Sequence, residues 1–433
     1  MSMSWMRKLR KDQKGNILVV GAASMPMLIG AAAMAIDTIQ ISLWKRQLQR
    51  AADSAAVAAA YAANQNASEG EAVTNDLDEH VDNDLDENET PTLQQILVQA
   101  GSFAENEIST DPCALRDAAL CFDRAVRVSV TAQRTPPLIS IFSGTPTLFK
   151  ANATAAVVST GQFCMIALYD GTDPGIVATG NADVRLGCGM ATNSRSDSAI
   201  EGDGSSNVDV TNLVTVGGLE GVDDHFVGDP ILQPYSTPIG DPLASVPNPP
   251  TPSGCTDFND SPQSVTSLTS PATNPKCFNS LSVQGTLNLG PGTYYVNGGD
   301  ITINAQARIT GTGVTIVMTG PNGNAGTMNI NGGASINLTA PSTGDYKGIA
   351  FYRDRRAAVR SVTLNGGANM SIQGAFYFPT ADIGIQGGFG TVSQCLQMVA
   401  RKLSFRGSTA INNNCPANSG SGAFGVNVVR LVG

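Results

Sequence analysis

Hydrophobic and polar positions along this chain follow two rhythms, and the change between them divides it. Ile17 to Ile36 reads ILVVGAASMPMLIGAAAMAI, twenty residues without a charge. At 1.5 Å per residue, a helix of that length spans about 30 Å, the thickness of a bilayer's hydrocarbon core. Past Asp37 the chain continues as TIQISLWKRQLQRAADSAAVAAAYAA, with no glycine or proline before Gly70. Ile39, Leu43, Leu48, Ala52, Ala55 and Ala59 recur there at helical spacing, which places them near one face. The pattern predicts a transmembrane helix over 17–41 that runs on as an alanine-rich stalk over 42–66. Pro26 should kink it mildly.

The late sequence keeps the other rhythm. YYVNGGDITINA, MNINGGASINLT and VTLNGGANMSIQ each alternate apolar and polar residues around a glycine-bearing turn, as strands with one face inward do. Asn-Gly-Gly begins at Asn297, Asn331 and Asn365, a spacing of 34 residues, and looser copies stand at 177–188, 199–210 and 281–292. Short strands at a fixed period point to stacked coils, none of which buries its apolar face alone. A parallel β-helix over 161–433 is the favoured fold, with a β-sandwich or jelly roll as the runner-up. Residues 230–252 hold eight prolines. Proline lacks the N–H a ladder needs, so a surface excursion over about 228–276 is expected.

Between these regions, ten of the twenty-one residues from Glu69 to Glu89 are acidic. Asp82, Asp84 and Asp86 alternate as in a calcium loop. The glycine that such a loop needs at its sixth position is Glu87, however, and Leu93 stands where its closing glutamate belongs. A solvated connector is the expected reading. AVRVSVTAQ (125–133) then alternates as a strand, so residues 67–160 read as that connector joined to a small α+β segment.

Charge orients the anchor. Arg7, Lys8, Arg10, Lys11 and Lys14 precede the apolar run, forming a basic segment over 1–16, and Lys45, Arg46 and Arg50 follow it. The excess on the first side favours an N-terminus in the cytoplasm. Residues 1–50 carry eight basic and two acidic groups, so the rest of a chain of net charge −10 carries −16. That sign disfavours nucleic acid as a partner, because phosphate binding needs clustered cations. A secretory signal peptide would be cut near Ala33-Met34-Ala35, but the helical pattern runs on past that point.

The eight cysteines, at 113, 121, 164, 188, 255, 277, 395 and 415, show no Cys-x-x-Cys spacing, and only His80 and His225 could join them on a metal. No metal or cofactor site is expected. Four disulfides in an oxidising compartment are, paired between neighbours as Cys113–Cys121, Cys164–Cys188, Cys255–Cys277 and Cys395–Cys415.

The N-terminal module resembles a known family. The basic-Gly-Asn entry (Lys14, Gly15, Asn16), Pro26 within the span, Asp37 at its end and the Leu48–Ala60 run with its Ala-Ala-Asp-x-Ala-Ala match TadE/TadG-like proteins of the Flp (tight adherence) pilus system over about residues 10–62. The resemblance implies a single-pass protein of the bacterial inner membrane, its bulk in the periplasm or envelope. Its partners would be lipid and other pilus-assembly or pilin-like proteins, reached through the anchor and stalk; a surface glycan is a further candidate partner. Gly15, Pro26, Asp37, Leu48, Ala52 and Asp53 are its assembly residues, with Asp37 at the lipid–water boundary. Related type IV pilin-like proteins are cut after a glycine and carry a glutamate five residues on. Counting from Gly15 that position is Val20, so an uncut anchor is expected. The von Willebrand-type domain common downstream in TadG proteins has no Asp-x-Ser-x-Ser counterpart here.

β-Helices also host polysaccharide-cleaving enzymes. Asp300, Asp345, Asp354, Asp382, Arg353, Arg355 and Arg356 are the residues such a site could use. Arg353-Asp354-Arg355-Arg356 reads more simply as a charged turn capping a strand. The sequence therefore predicts a non-enzymatic structural component of a pilus or adherence apparatus. The alternative is a secreted or anchored β-helical polysaccharide-binding or polysaccharide-cleaving protein.

Overall fold

The computed structural model describes residues 14–65, 67–84, 92–115, 121–136, 138, 145–365, 369–387, 390–393, 395–413 and 424–433. They fall into two compact units, Met1–Val158 with Val429–Gly433, and Ser159–Val428.

The first unit is a helix laid on an antiparallel sheet. Helix α1 (Lys14–Asn64) has 51 residues and runs through Pro26 without a break. Helix α2 (Glu69–Asp84) follows, its first turn capped by the Ser68 hydroxyl accepting the Glu71 N–H, and with Glu69 and Glu71 facing the positive helix end. The acidic run is thus helical over 69–84. Glu71, Asp78 and Glu79 are exposed, Asp76 accepts from the Ser54 hydroxyl of α1 at 2.9 Å, and Val73 and Leu77 are buried with α1. Asp86 and Glu87 lie outside the described residues. Strands β1 (Thr92–Ala104), β2 (Glu107–Ser109), β3 (Cys121–Arg134) and β4 (Thr147–Ala167) pair antiparallel, β2 with β1, β1 with β3 and β3 with β4. Val126, Val128, Val130 and Ala132 of β3 and Phe149, Ala151, Ala153 and Ala155 of β4 form the floor that α1 covers. The last residues of the chain belong here, not to the solenoid as expected: Thr154 and Gly433, then Val432 and Thr154, join by backbone hydrogen bonds of 2.5 and 2.8 Å.

The second unit is the parallel β-helix, of about ten turns. Each coil lays one short strand on each of three faces. Inward residues stack in register from coil to coil, as in the column Val283, Ile303, Ile330, Leu364, Ile385, Phe405, Ala178, Gly202. That column is out of sequence order. The last coil, 395–413, pairs in parallel with the first: Met398 with Met165, Leu403 with Ile176, and Ile411 with Val184. The chain therefore enters the solenoid in its middle and winds outward through 189–192, 212–215 and 231–233. It restarts at the opposite end with Thr256–Asn259 and winds back.

The proline-rich passage makes the return journey. Asn193 holds Ile239 by two side-chain hydrogen bonds of 2.8 and 2.7 Å. Tyr377 donates to Asp241 at 2.6 Å, Arg356 to the Pro249 carbonyl at 3.1 Å, and Thr251 to the Gly320 carbonyl at 3.3 Å. The Cys255–Cys277 disulfide fixes the far end. Ile239, Leu243 and Val246 cover an apolar outer surface that includes Tyr295, Tyr352 and Tyr377. For this reason the strands Val314–Thr319 and Ile349–Arg353 are buried at every residue rather than at alternate ones. Cys113–Cys121 and Cys164–Cys188 also form. Cys395 is disulfide-bonded, but the expected 395–415 pairing cannot be placed because Cys415 lies outside the described residues.

The Asn-Gly-Gly repeat is only partly the coil repeat. Asn331 and Asn365 mark one corner, and one coil there does take 34 residues, Ile330 pairing with Leu364. Asn331 donates to Asn304, which holds the same corner one coil earlier without the double glycine. Asn297 sits at a different corner, and its coil is 22 residues long, Asn297 pairing with Thr319.

Arg353 to Arg356 bind this assembly together. Arg353 is fully buried and donates to the Ala325, Gly326, Ala358 and Thr380 carbonyls and to the Thr380 hydroxyl. Burial, with a smaller push from Arg360, lowers its guanidinium pKa to about 10. Arg355 donates to the carbonyls of Leu243, Ala244 and Val246. The buried Asp354 carboxylate accepts from Arg356 at 2.9 and 2.7 Å and from the Thr319 hydroxyl at 2.7 Å. Burial alone would raise its pKa, but these hydrogen bonds together hold it below the usual carboxylate range. A carboxyl with a lowered folded pKa stabilises above its unfolded value of about 4, and that contribution is lost as pH falls through the folded value. Wild type should therefore exceed Asp354→Asn in denaturation midpoint at pH 7, and the gap should close below about pH 4. An equal gap at pH 3 and pH 7 would contradict this role for the charge.

Candidate functional site

Helix α1 has two halves with opposite surroundings. From Val20 to Ile36 its large side chains are bare: Val20, Met25, Met27, Leu28, Ile29, Met34 and Ile36 are all exposed. The segment is long and apolar enough to cross a bilayer. Ser24 within it donates to the Gly21 carbonyl at 3.1 Å, and Thr38 just past it donates back to that of Met34 at 2.6 Å. Hydrocarbon requires this, since it offers no other partner. Gly15 and Pro26 are both residues of α1.

Cover begins at Asp37. The inward stripe runs Asp37, Ile41, Trp44, Leu48, Ala52, Ala55, Ala59, each one helical turn on from the last and all buried but the half-buried Ile41. Trp44 meets Phe149 edge-on at 5.8 Å between ring centroids, and the Arg134 guanidinium lies 4.6 Å over the Trp44 ring. Alanine at 52, 55, 56, 59 and 60 lets the helix approach the sheet closely, so Leu48 and Ala52 face the chain's own strands. The predicted stalk face was right from Leu48 onward and misplaced before it, because Ile39 and Leu43 are exposed and Trp44 takes the inward position. Asp53, at the edge of the buried stripe, accepts from Gln49 at 2.7 Å, and Gln49 also donates to the Asn152 carbonyl at 2.9 Å.

Asp37 is not the solvated boundary residue expected of its position. It is wholly buried and accepts the Leu138 N–H at 3.2 Å, a residue 101 places along the chain. Strand alternation cannot reveal such a partner, since Leu138 lies between β3 and β4. One carboxylate thus ends the bare segment and ties the helix to the linker between two strands of the sheet beneath it. Removing a buried acceptor leaves its donor unpaired at a cost of about 1–3 kcal/mol. Asp37→Ala should therefore speed amide exchange at Leu138 by roughly tenfold or more, while Asp37→Asn, which keeps an acceptor oxygen, should change it less.

Of the other candidates for chemistry, Asp300 accepts the Thr327 N–H at 2.8 Å and Asp382 accepts from Arg401 at 2.7 and 2.6 Å, whereas Asp345 is exposed with no side-chain partner among the described residues. Among the described residues no cluster of His, Cys, Asp or Glu is arranged to hold a metal ion.

No curated protein and no solved structure matches the chain. Residues 15–63, which are helix α1 almost end to end, match the family model of the TadE/G-like Flp pilus-assembly domain.

Proposed function

We propose that this protein is a membrane-anchored, non-enzymatic component of a Flp-type pilus assembly apparatus. The bare half of α1 lies in the inner membrane, the N-terminus faces the cytoplasm, and the sheet and solenoid lie outside it. The observation that carries the reading is the onset of cover on one face of α1 at Asp37. Before it, every described large apolar side chain of α1 is uncovered; from it onward one stripe is covered, buried at Trp44, Leu48, Ala52, Ala55 and Ala59. The family match spans both halves, which supports a role for the whole helix in assembly.

Partner helices are met on a different face from the one the sequence suggested. Leu48 and Ala52 are occupied by the chain's own sheet. Ile36, Ile39 and Leu43 continue the exposed apolar surface past the point where cover of the opposite face begins, and Lys45, Arg46 and Arg50 are exposed beyond them, suited to lipid headgroups. A photo-crosslinking residue in place of Leu43 should capture another pilus-assembly component in the native host, and one in place of Ala52 should capture none. Capture from position 52 alone would contradict this assignment.

The oxidised cysteines and the acidic bulk support an extracytoplasmic location. Four of the seven residues considered for polysaccharide cleavage have structural partners, which supports the non-enzymatic reading: Arg353 binds carbonyls inside the coil, Arg355 and Arg356 bind the returning passage, and Asp354 is committed to Arg356 and Thr319.

A further inference from the structure

The solenoid carries a groove that its fold does not require. It lies on the face formed by strands Arg360–Asn365, the 381–386 part of Asn369–Gln386, Cys395–Arg406 and Ile176–Thr179, where the last coil meets the first, and encloses about 510 Å³. Strand register sets its outward side chains in three rows. Ser361, Asp382 and Lys402 form one row, and Thr363, Gly384, Ser404 and Val177 the second. Asn365, Gln386, Arg406 and Thr179 form the third. The spacing is about 4.8 Å between strands and about 6.6 Å along them.

Gly384 stands at the centre of this grid. Its backbone is not in the positive-φ region, and a Cβ there would meet only the Ser404 hydroxyl at 3.6 Å and the Val362 carbonyl at 3.9 Å. Both are ordinary contacts. Glycine in a strand interior weakens it and leaves nothing to pack, so where neither backbone nor crowding demands it, its effect is the open space itself.

Charge narrows the ligand. Lys402 is paired with Asp173 at 2.9 Å and lies 4.0 Å over the Tyr169 ring, and Arg401 is paired with Asp382. Arg406 is exposed and has no side-chain partner among the described residues. A groove of hydroxyls, amides and paired charges, with one cation unpaired among the described residues, does not suit nucleic acid, which needs clustered cations. It suits a chain of hydroxylated rings bearing a carboxylate, since Ser, Thr, Gln and Asp side chains can each donate to or accept from ring hydroxyls and a guanidinium grips a carboxylate.

We propose that this groove binds an acidic, uronate-type oligosaccharide, with a ring over Gly384 and its carboxylate on Arg406. The site belongs to the solenoid alone and stands or falls separately from the anchor. The test is calorimetric titration of the full chain in detergent with tetragalacturonate, and with neutral maltotetraose as control. Gly384→Val suits an exposed strand position, so it should keep the melting temperature of wild type while weakening tetragalacturonate binding about tenfold or more. Arg406→Ala should weaken tetragalacturonate to the level of maltotetraose. The proposal is overturned if tetragalacturonate shows no saturable binding to wild type, if Gly384→Val binds it as wild type does, or if maltotetraose binds wild type equally well.

Discussion

The architecture depends on one constraint: both ends of the solenoid's chain must return to the same sheet. Strand β4 runs on from that sheet into the first coil, and residues 429–433 come back to bond at Thr154. A β-helix wound simply from one end to the other would leave its entry and exit about ten turns apart. Here the last coil stacks on the first, so entry and exit lie on neighbouring coils. This arrangement needs a return passage along the solenoid, and the proline-rich segment supplies it. Proline suits that task because it fixes an extended backbone and removes donors that a sheet would otherwise have to satisfy. Leu243, Ala244, Val246 and Pro249 instead offer their carbonyls to Arg355 and Arg356.

The balance of forces differs between the two units. In the solenoid, each buried Ile or Leu of a stacked column contributes about 1.5–3 kcal/mol, and the columns continue through the junction of first and last coils as through any other. In the first unit the contact is thinner, because a stripe of alanines buries little area per residue. Trp44 on Phe149, Leu48 and the Asp37–Leu138 hydrogen bond therefore carry more of the hold on α1. Asp37 sits where that hold begins and the uncovered segment ends.

Much of this was legible in the sequence, and the exceptions share a physical cause. The uncharged run, the alternation around Asn331 and Asn365, and three neighbouring cysteine pairs are local patterns, and each became the element it suggested. Alternation fixes which face a residue takes but not which coil lies beside it, so the pairing of 395–413 with 163–186 left no trace in the pattern. Ile39 and Leu43 share helical spacing with Leu48, yet only the sheet decides that Trp44 turns inward. Arg353-Asp354-Arg355-Arg356 reads as an exposed charged turn because arginine is seldom buried; a cage of carbonyls around Arg353 is assembled from residues up to 28 places away. In the groove, the outward Ser361, Thr363, Gln386 and Arg406 are scattered in sequence and adjacent only through register.

The central claim is that the bare half of α1 stays on the mature protein as its membrane anchor. Its most direct test is the N-terminal sequence of the chain recovered from its own host, together with its partition after carbonate washing of the membranes. The account predicts a chain that retains residues 17–36 and remains in the membrane pellet. A chain cut near Ala35 and released to the soluble fraction would contradict it.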